Sequence, residues 1–353
     1  MTSERVPVPW VDDKEIDWDG VQQRLARSAA ANHWSNFGPV SLELEAAIGE
    51  RLDLPDTHRV VVTSSGTAAL DAIAALEEHR NGRPHRWVVS DFGFHCTVQG
   101  PFRDAIVVDC DEAGILDLEA MAALDRDSYD AVLLTNTFGV RSDVSDFAAF
   151  TRAQDKTLLL DSAGSFGALR GGPGDETAYQ AFSFHHTKPW GFGEGGAMVV
   201  PADDVQMARS VINFGLVLGE PVAGVATNGK MSDIAASFVL GWLDTYDRIR
   251  PQLDEQYERL SAIGRELGYT VLGDVLPERG TVPSCVPLLA PEPVSGDRFD
   301  RLPFVARKYY RPLVGRPVSQ AIFERIVNVP CHRGVQIVSD EELRSSLGAV
   351  LPC

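Results

Sequence analysis

Arg59-Val60-Val61-Val62-Thr63-Ser64-Ser65-Gly66-Thr67-Ala68-Ala69-Leu70 is the stretch on which the fold turns. Its four consecutive β-branched residues favour an extended strand, and an apolar run without alternation fits a strand buried on both faces. Ser64 to Thr67 interrupt it, and Ala68, Leu70, Ile73, Ala74 and Leu76 then fall at helical spacing. A strand, a tight turn and a helix follow one another with no linker between them.

Working outward, the same alternation repeats. Strands are expected at Trp87–Val89, Ala105–Val108, Ala131–Leu134 and Thr157–Leu160, with an amphipathic helix at Val144–Ala153 between the last two. This predicts an α/β sheet covered on both faces. Ala181–Phe184 and Ala197–Val200 flank a Gly-rich connection short enough for neighbouring strands, an antiparallel pair among the options. A helix from Ser232 to Ile249 leads out of this region, with Pro251 marking its end. Beyond it the pattern predicts a helix at Leu253–Leu267, strand-like runs near Val271 and at Cys285–Leu289, and a last helix near Asp340–Leu347. That is a small α/β unit, and no internal repeat accompanies it.

Composition bounds the function. A chain of 353 residues with 44% hydrophobic content can bury a large core and exceeds one ordinary domain, so two domains are expected. The formal charge of −18 repels phosphate backbones and anionic membranes, which argues against nucleic-acid binding but leaves a small anionic ligand within reach of a few local donors. The polar segment Met1 to Gly20 has no secretory-signal pattern, and no window approaches the eighteen or so apolar residues that span a bilayer. Cys96, Cys110, Cys285, Cys331 and Cys353 are scattered without a C-x-x-C pair, so no metal site is expected and buried structural thiols are. A cytoplasmic protein is the expectation.

Three segments carry chemistry. At Ser65-Gly66-Thr67-Ala68 a helix starts directly after a strand, and unpaired N–H groups with a favourable dipole form an anion site there; a plain N-cap explains the same residues. In Leu158-Leu159-Leu160-Asp161-Ser162-Ala163, Asp161 ends an apolar strand at the edge where α/β sheets place ligands, a position also used by helix caps. A carboxylate there suits a protonated ring nitrogen. In Ser183-Phe184-His185-His186-Thr187-Lys188-Pro189-Trp190-Gly191-Phe192-Gly193-Glu194-Gly195-Gly196, a lysine lies on a loop among aromatics and glycines, a setting that suits a Schiff-base nucleophile better than a solvated surface charge.

Together these segments resemble the DegT/DnrJ/EryC1/StrS group of sugar aminotransferases, pyridoxal phosphate enzymes of the aspartate-aminotransferase fold (fold type I). The likeness is carried by Asn36-Phe37-Gly38-Pro39 with Leu44-Glu45, by Ser65 to Leu70, by Ser183 to Gly196, and by Asn228-Gly229-Lys230-Met231-Ser232-Asp233. It implies a large mixed-sheet pyridoxal-phosphate domain with an N-terminal arm over residues 1–245 and a small α/β domain over 246–353. It also implies an amino transfer, glutamate being the expected donor, to a nucleotide-linked keto-sugar. Asn213-Phe214-Gly215 and the lysine loop look most like the members acting on dTDP-4-keto-6-deoxysugars.

By resemblance, Lys188 forms the imine and moves the proton, and Asp161 pairs with the pyridine nitrogen. Gly66, Thr67 and Ser183 bind the cofactor phosphate, and Phe94 stacks on its ring with Phe92 as the competing choice. Asn228 reaches the phosphate of a neighbouring subunit, so a homodimer with shared sites is expected. His185, His186, Lys230, Tyr309 and Tyr310 are candidates to meet the substrate, the tyrosines within a cluster that includes Arg307 and Arg311. Two positions depart from the group. Gly164 stands where many relatives carry Gln or His near the cofactor's phenolic oxygen, leaving that contact to water or to Asn136, which itself replaces a His. The alternatives are a pyridoxal-dependent sugar dehydratase, whose lysine is replaced by histidine, and a non-catalytic sensor of the same fold.

Overall fold

The computed structural model describes residues 6–174, 178–216, 225–274 and 284–352. Seven strands form one sheet: β1 (His58–Thr63), β2 (Trp87–Ser90), β3 (Ile106–Val108), β4 (Ala131–Thr135), β5 (Thr157–Asp161), β6 (Ala178–Ser183) and β7 (Gly196–Pro201), in the order β1-β7-β6-β5-β4-β2-β3. The pairs β2–β3, β2–β4, β4–β5 and β5–β6 are parallel; β6–β7 and β7–β1 are antiparallel. The expected Ala181–Phe184 strand begins three residues earlier and ends one earlier, because its register is set by β5, with Leu158 opposite Ala178.

Nine helices are described: α1 (Trp18–Ala31), α2 (Pro39–Arg51), α3 (Gly66–Asn81), α4 (Leu118–Ala122), α5 (Ser145–Ala153), α6 (Val205–Val211), α7 (Asp233–Glu266), α8 (Pro317–Arg325) and α9 (Asp340–Val350). Successive strand residues alternate between faces, so Val89, Leu133 and Leu159 pack with Leu70 and Ile73 of α3, while Val88, Val132 and Leu158 pack with Phe147 of α5. Helices on both faces explain why these strands read as continuous apolar runs. A second, three-stranded antiparallel sheet has the order β10-β9-β8, from β8 (Thr270–Val271), β9 (Cys285–Leu289) and β10 (Ile326–Pro330). Its core joins Val286, Leu288, Val327 and Val329 to Leu260 and Ile263 of α7 and to Leu343 and Leu347 of α9.

The expected helix end at Pro251 is not observed. α7 runs unbroken for 34 residues through Pro251, and the expected 245/246 division falls inside it. An interior proline costs about 3 kcal/mol. Leu253, Tyr257, Leu260 and Ile263, all buried beyond it, each contribute about 1.5–3 kcal/mol, and tertiary packing wins.

The turns around the sheet's edge are held by buried carboxylates. Asp233, the first residue of α7, accepts from the backbone N–H groups of Val40 (3.1 Å) and Ser41 (2.9 Å) and from the hydroxyls of Ser28 and Ser41 (both 2.5 Å). It thereby caps α2, and a Cβ on Gly38 would sit 2.6 Å from its Oδ2. The Asn36–Pro39 and Asn228–Asp233 motifs therefore meet in space. Asp91, after β2, accepts from Val314 N and Arg316 N (2.6 Å each) and from Ser319 Oγ, which fixes the segment carrying Tyr309 and Tyr310 to the large sheet. Among the described residues no helix is long and apolar enough to cross a membrane, and no cluster of His, Cys, Asp and Glu could hold a metal ion.

Candidate active site

A cavity of about 320 Å³ opens at the C-terminal edge of β4 and β5. That is where a doubly wound sheet places ligands, because the strand ends and the helix N-termini that follow them converge there. Ser65, Gly66, Thr67, Phe94, Asp161, Ser183, His185, Lys188, Tyr309 and Tyr310 all line it.

Asp161 ends β5 between Thr135 of β4 and Ala181 of β6, which aims its buried carboxylate into the cavity. Its Oδ1 accepts from Ala163 N at 3.0 Å, whereas Oδ2 has only the Thr135 hydroxyl at a long 3.4 Å. Burial raises its pKa, opposed by the Ala163 N–H, the Lys188 charge and Thr135. A carboxylate with a spare acceptor oxygen and a penalty for being charged alone is suited to a cationic N–H partner.

Lys188 lies on the β6–β7 connection, where its N–H donates to His185 O (2.8 Å) and its carbonyl accepts from Gly191 N (2.9 Å). Trp190 anchors the turn from below, donating from Nε1 to Ser183 O at 2.9 Å. Burial pulls the Lys188 ammonium below its ordinary range, with Asp161, Cys285 and Cys96 opposing. The neutral amine, the nucleophilic form, is thereby favoured.

At the third corner, the N-terminus of α3 faces the cavity. Ser65 caps it by accepting from Ala68 N at 3.1 Å, so the N–H groups of Gly66 and Thr67, the first two of the helix, remain for a ligand. A Cβ at Gly66 would lie 3.0 Å from Ser183 Cβ and 3.3 Å from Phe182 O, filling the cradle between helix and strand. Ser183 Oγ accepts from His185 N at 3.3 Å, leaving its own proton to donate into the same space.

The remaining candidates separate. Phe94 is half exposed on the cavity wall while Phe92 is fully buried, so Phe94 is the ring able to meet a ligand. His185 lines the cavity; its Nδ1 accepts from Thr187 N at 3.2 Å, which leaves Nε2 towards Glu194 Oε1 at 3.5 Å. His186 lies outside the lining, its ring edge-on to Phe192 at 5.5 Å. Tyr310 stacks on Phe138 (5.1 Å) and Tyr309 is edge-on to Trp10 (5.7 Å), but Arg307 and Arg311 are exposed away from the cavity. Asn228 and Lys230 also lie outside the lining; the Lys230 ammonium donates to Asn228 Oδ1 (2.7 Å) and sits 4.6 Å from the ring centroid of half-exposed Phe214.

Asn136 lines the cavity, with its amide donating to Arg141 O (2.9 Å) and its Oδ1 accepting from Arg141 N (3.1 Å). Gly164 sits where packing is tight: a Cβ there would lie 3.0 Å from both Asn136 O and Phe138 N, so a longer residue requires the backbone beside it to give by a few tenths of an ångström. Cys96 and Cys285 line the cavity as well as being partly or wholly buried, whereas Cys110 and Cys331 are buried elsewhere; Cys353 lies outside the described residues. Trp10, Ser284 and Cys285 reach the site from distant parts of the chain, and no local signal marks them.

The donor set fits pyridoxal phosphate: an open helix N-terminus for the phosphate, a buried carboxylate for the ring nitrogen, an aromatic wall, and a lysine of lowered pKa for the aldehyde. When bound, that cofactor supplies an electron sink for carbanion chemistry.

Comparisons with known proteins bear on the family and the fold. The chain is 31% identical over 232 residues to Protein Rv3402c of Mycobacterium tuberculosis strain H37Rv, covering 62% of this chain and 56% of that protein. It is 28% identical over 240 residues to 3-amino-5-hydroxybenzoate synthase of Amycolatopsis mediterranei, covering 64% and 59%. The match thus spans little more than half the length of these relatives. In fold it is similar to DesI, solved in the presence of its TDP-sugar product, with a TM-score of 0.81 at 22% identity over 98% of this chain and 93% of that one. Residues 17–343 match one family over nearly the whole chain, and on that match the chain belongs to the DegT/DnrJ/EryC1/StrS aminotransferase family, whose members depend on pyridoxal phosphate.

Proposed function

We propose that this chain is an aminotransferase that moves an amino group from an amino acid, glutamate by expectation, to a nucleotide-linked keto-sugar of the dTDP-4-keto-6-deoxysugar kind, in the cytoplasm. The single observation that carries the amino-transfer reading is the meeting of Lys188, Asp161 and the open α3 N-terminus in one cavity. In this reading Lys188 is the nucleophile and then the base that moves a proton between donor or acceptor carbon and cofactor. Asp161 holds the ring nitrogen charged. Gly66, Thr67 and Ser183 bind the phosphate, Phe94 covers the ring, and His185, Tyr309 and Tyr310 face the substrate. DesI, crystallised with a TDP-sugar, supports the substrate class by likeness of fold.

Exposed Asn228 and half-buried Lys230 stand beside Phe214, off their own chain's cavity. That placement supports a homodimer in which Asn228 of one copy serves the cofactor phosphate of the other. Mixing a Lys188→Ala with an Asn228→Ala variant tests it, since a mixed dimer regains one intact site; no recovered turnover overturns the shared site.

A second reading rests on the described lining itself. Trp10, Phe94, Phe138, Tyr309 and Tyr310 make its walls aromatic, and Lys188 is its one lysine or arginine among described residues. A diphosphate calls for cations, whereas a keto group on an uncharged six-membered ring does not, and the likeness to 3-amino-5-hydroxybenzoate synthase points the same way.

Absorbance of the purified protein loaded with pyridoxal phosphate decides the first step: a visible band that glutamate converts to a near-ultraviolet one is expected. A band indifferent to glutamate overturns the donor, and no band overturns the enzyme reading in favour of a sensor. Turnover of dTDP-keto-sugars against nucleotide-free cyclic ketones then separates the two substrate classes.

A further inference from the structure

The N-terminal arm carries a lysine that the reaction does not use. Residues 8–14 run along the C-terminal part of the chain: Val8 exchanges backbone hydrogen bonds with Pro303 and Val305 (2.8 Å each), and Pro9 O lies 2.9 Å from His332 Nε2. Asp12 then pairs with Arg333 at 3.1 Å and lies 3.5 Å from His332 Nδ1. Two residues later the arm turns under the loop that holds Lys188.

There the Lys14 ammonium donates to His186 O at 2.7 Å, to Lys188 O at 2.6 Å, and to Gly191 O. An ammonium has three N–H donors and no acceptor, so three carbonyls saturate it. It also sits 5.2 Å from the centroid of the Trp242 ring, and Trp242 Nε1 donates to Pro189 O at 2.7 Å. Four carbonyls of the segment 186–191 are thus held from behind, by one residue of the arm and one of α7. Lys14 does not line the cavity into which Lys188 points, so it is no rival nucleophile.

We propose that Lys14 is a positioning residue for Lys188: by gathering the carbonyls of His186, Lys188 and Gly191 onto one buried cation, it sets the rotation of the loop and so the angle at which the Lys188 amine enters the cavity. The inference rests on the reading of Lys188 as the cofactor-binding lysine. Within the loop His186 N donates to Gly193 O, Lys188 N to His185 O and Gly191 N to Lys188 O, which leaves the carbonyls of His186, Pro189 and Gly191 to partners from outside it. A point cation shared by three carbonyls supplies a fixed centre that single neutral donors do not. It also ties the loop to the arm, and through Asp12 and Arg333 to the C-terminal part of the chain.

The test compares Lys14→Met, which keeps the length of the stem, with Lys14→Arg, which keeps the charge. Two readouts are free of turnover. Deuterium uptake by the backbone of residues 184–196 in the cofactor-free protein should rise at least about tenfold in rate in Lys14→Met, with β4 and β5 unchanged. In the loaded protein, the pH midpoint of the visible cofactor band should shift by about one unit, since that midpoint depends on how the Lys188 nitrogen is set against the ring. Lys14→Arg should restore both. Uptake and midpoint matching wild type in Lys14→Met would overturn the inference. A wild-type protein that takes up no cofactor would instead sink the reading beneath it, while the uptake experiment still judges the tether. Should Lys14→Met fail to fold, Lys14→Gln, which keeps one donor group, replaces it under the same two criteria.

Discussion

Asp161 and Asp233 are both buried aspartates at the end of a β-strand or the start of a helix, yet they are built to opposite specifications. Asp233 accepts from two backbone N–H groups and two hydroxyls within 3.1 Å. Burial alone would raise its pKa, and those four donors more than reverse this, holding it below the ordinary carboxylate range. Asp161 has one good donor and one at 3.4 Å, and its pKa is raised. A satisfied carboxylate is structural; an underserved one facing a cavity keeps its capacity for a ligand. The helices beside them follow the same division. The N-terminus of α2 is closed by Asp233, and that of α3 is left open to the cavity.

If that division is right, substitutions on the cavity side should remove chemistry and spare stability. Lys188→Ala makes the largest change: turnover should fall to the background of the free cofactor, with the thermal midpoint within about 2 °C of wild type, because the amine holds no hydrogen bond to any of the described residues that the fold would lose. Retained turnover would reassign the nucleophile. Asp161→Asn comes next. It keeps the shape but cannot hold a ring nitrogen protonated, so turnover should drop by about a thousandfold, some 4 kcal/mol of activation free energy. Its stability should hold or improve, since burying that carboxylate is costly. A destabilised Asp161→Asn with intact turnover would erase the contrast with Asp233.

How much of this was legible beforehand depends on whether a residue's position is set locally. Gly66, Thr67, Asp161 and Lys188 sit at strand ends or the turns after them, where strand patterning located each singly; that they belong with Ser183 to one site came from the family resemblance, and the structure gathers all five into one cavity. Asn228 and Lys230 fall outside that cavity, and nothing in their local sequence foretells it. Trp10, Lys14, Ser284 and Cys285 were invisible because they arrive by tertiary return of the chain. Pro251 misled for a related reason: a local helix breaker was overridden by burial on both sides of it. Gly164 was noticed as a departure, but the tight packing around it, with the backbone of Asn136 and Phe138 3.0 Å from where a Cβ would lie, is a fact of the folded chain alone.

On the structural side, Asp233→Asn should lower stability by about 2–4 kcal/mol, since the amide removes the charge and turns N–H donors towards groups that already donate. Cofactor affinity should barely change. The sign of the pH effect follows from the lowered pKa. The folded protein binds this proton less tightly than the unfolded chain, so the contribution of Asp233 is complete above the unfolded carboxylate pKa of about 4 and fades as pH falls through the lower folded value. Urea unfolding should therefore show wild type and Asp233→Asn converging on acidification; curves that stay parallel would mean the carboxylate is not what closes α2.

The smallest effect sharpens the contrast between the two helix N-termini. Thr67→Val removes one hydroxyl from the open end of α3 while keeping the β-branched shape and the backbone N–H. A hydrogen bond to a charged phosphate contributes about 1.5–3 kcal/mol, so cofactor affinity should weaken by roughly tenfold to a hundredfold. Stability of the cofactor-free protein should stay within about 0.5 kcal/mol, because Ser65, not Thr67, caps the helix. The matching change at the closed end, Ser41→Ala, takes a buried hydroxyl from Asp233 and should show the reverse pattern, unchanged affinity with measurable destabilisation. If both variants moved the same quantity, the two ends would not be specialised, and the buried aspartates would have to be explained by something other than whether a ligand is meant to finish the site.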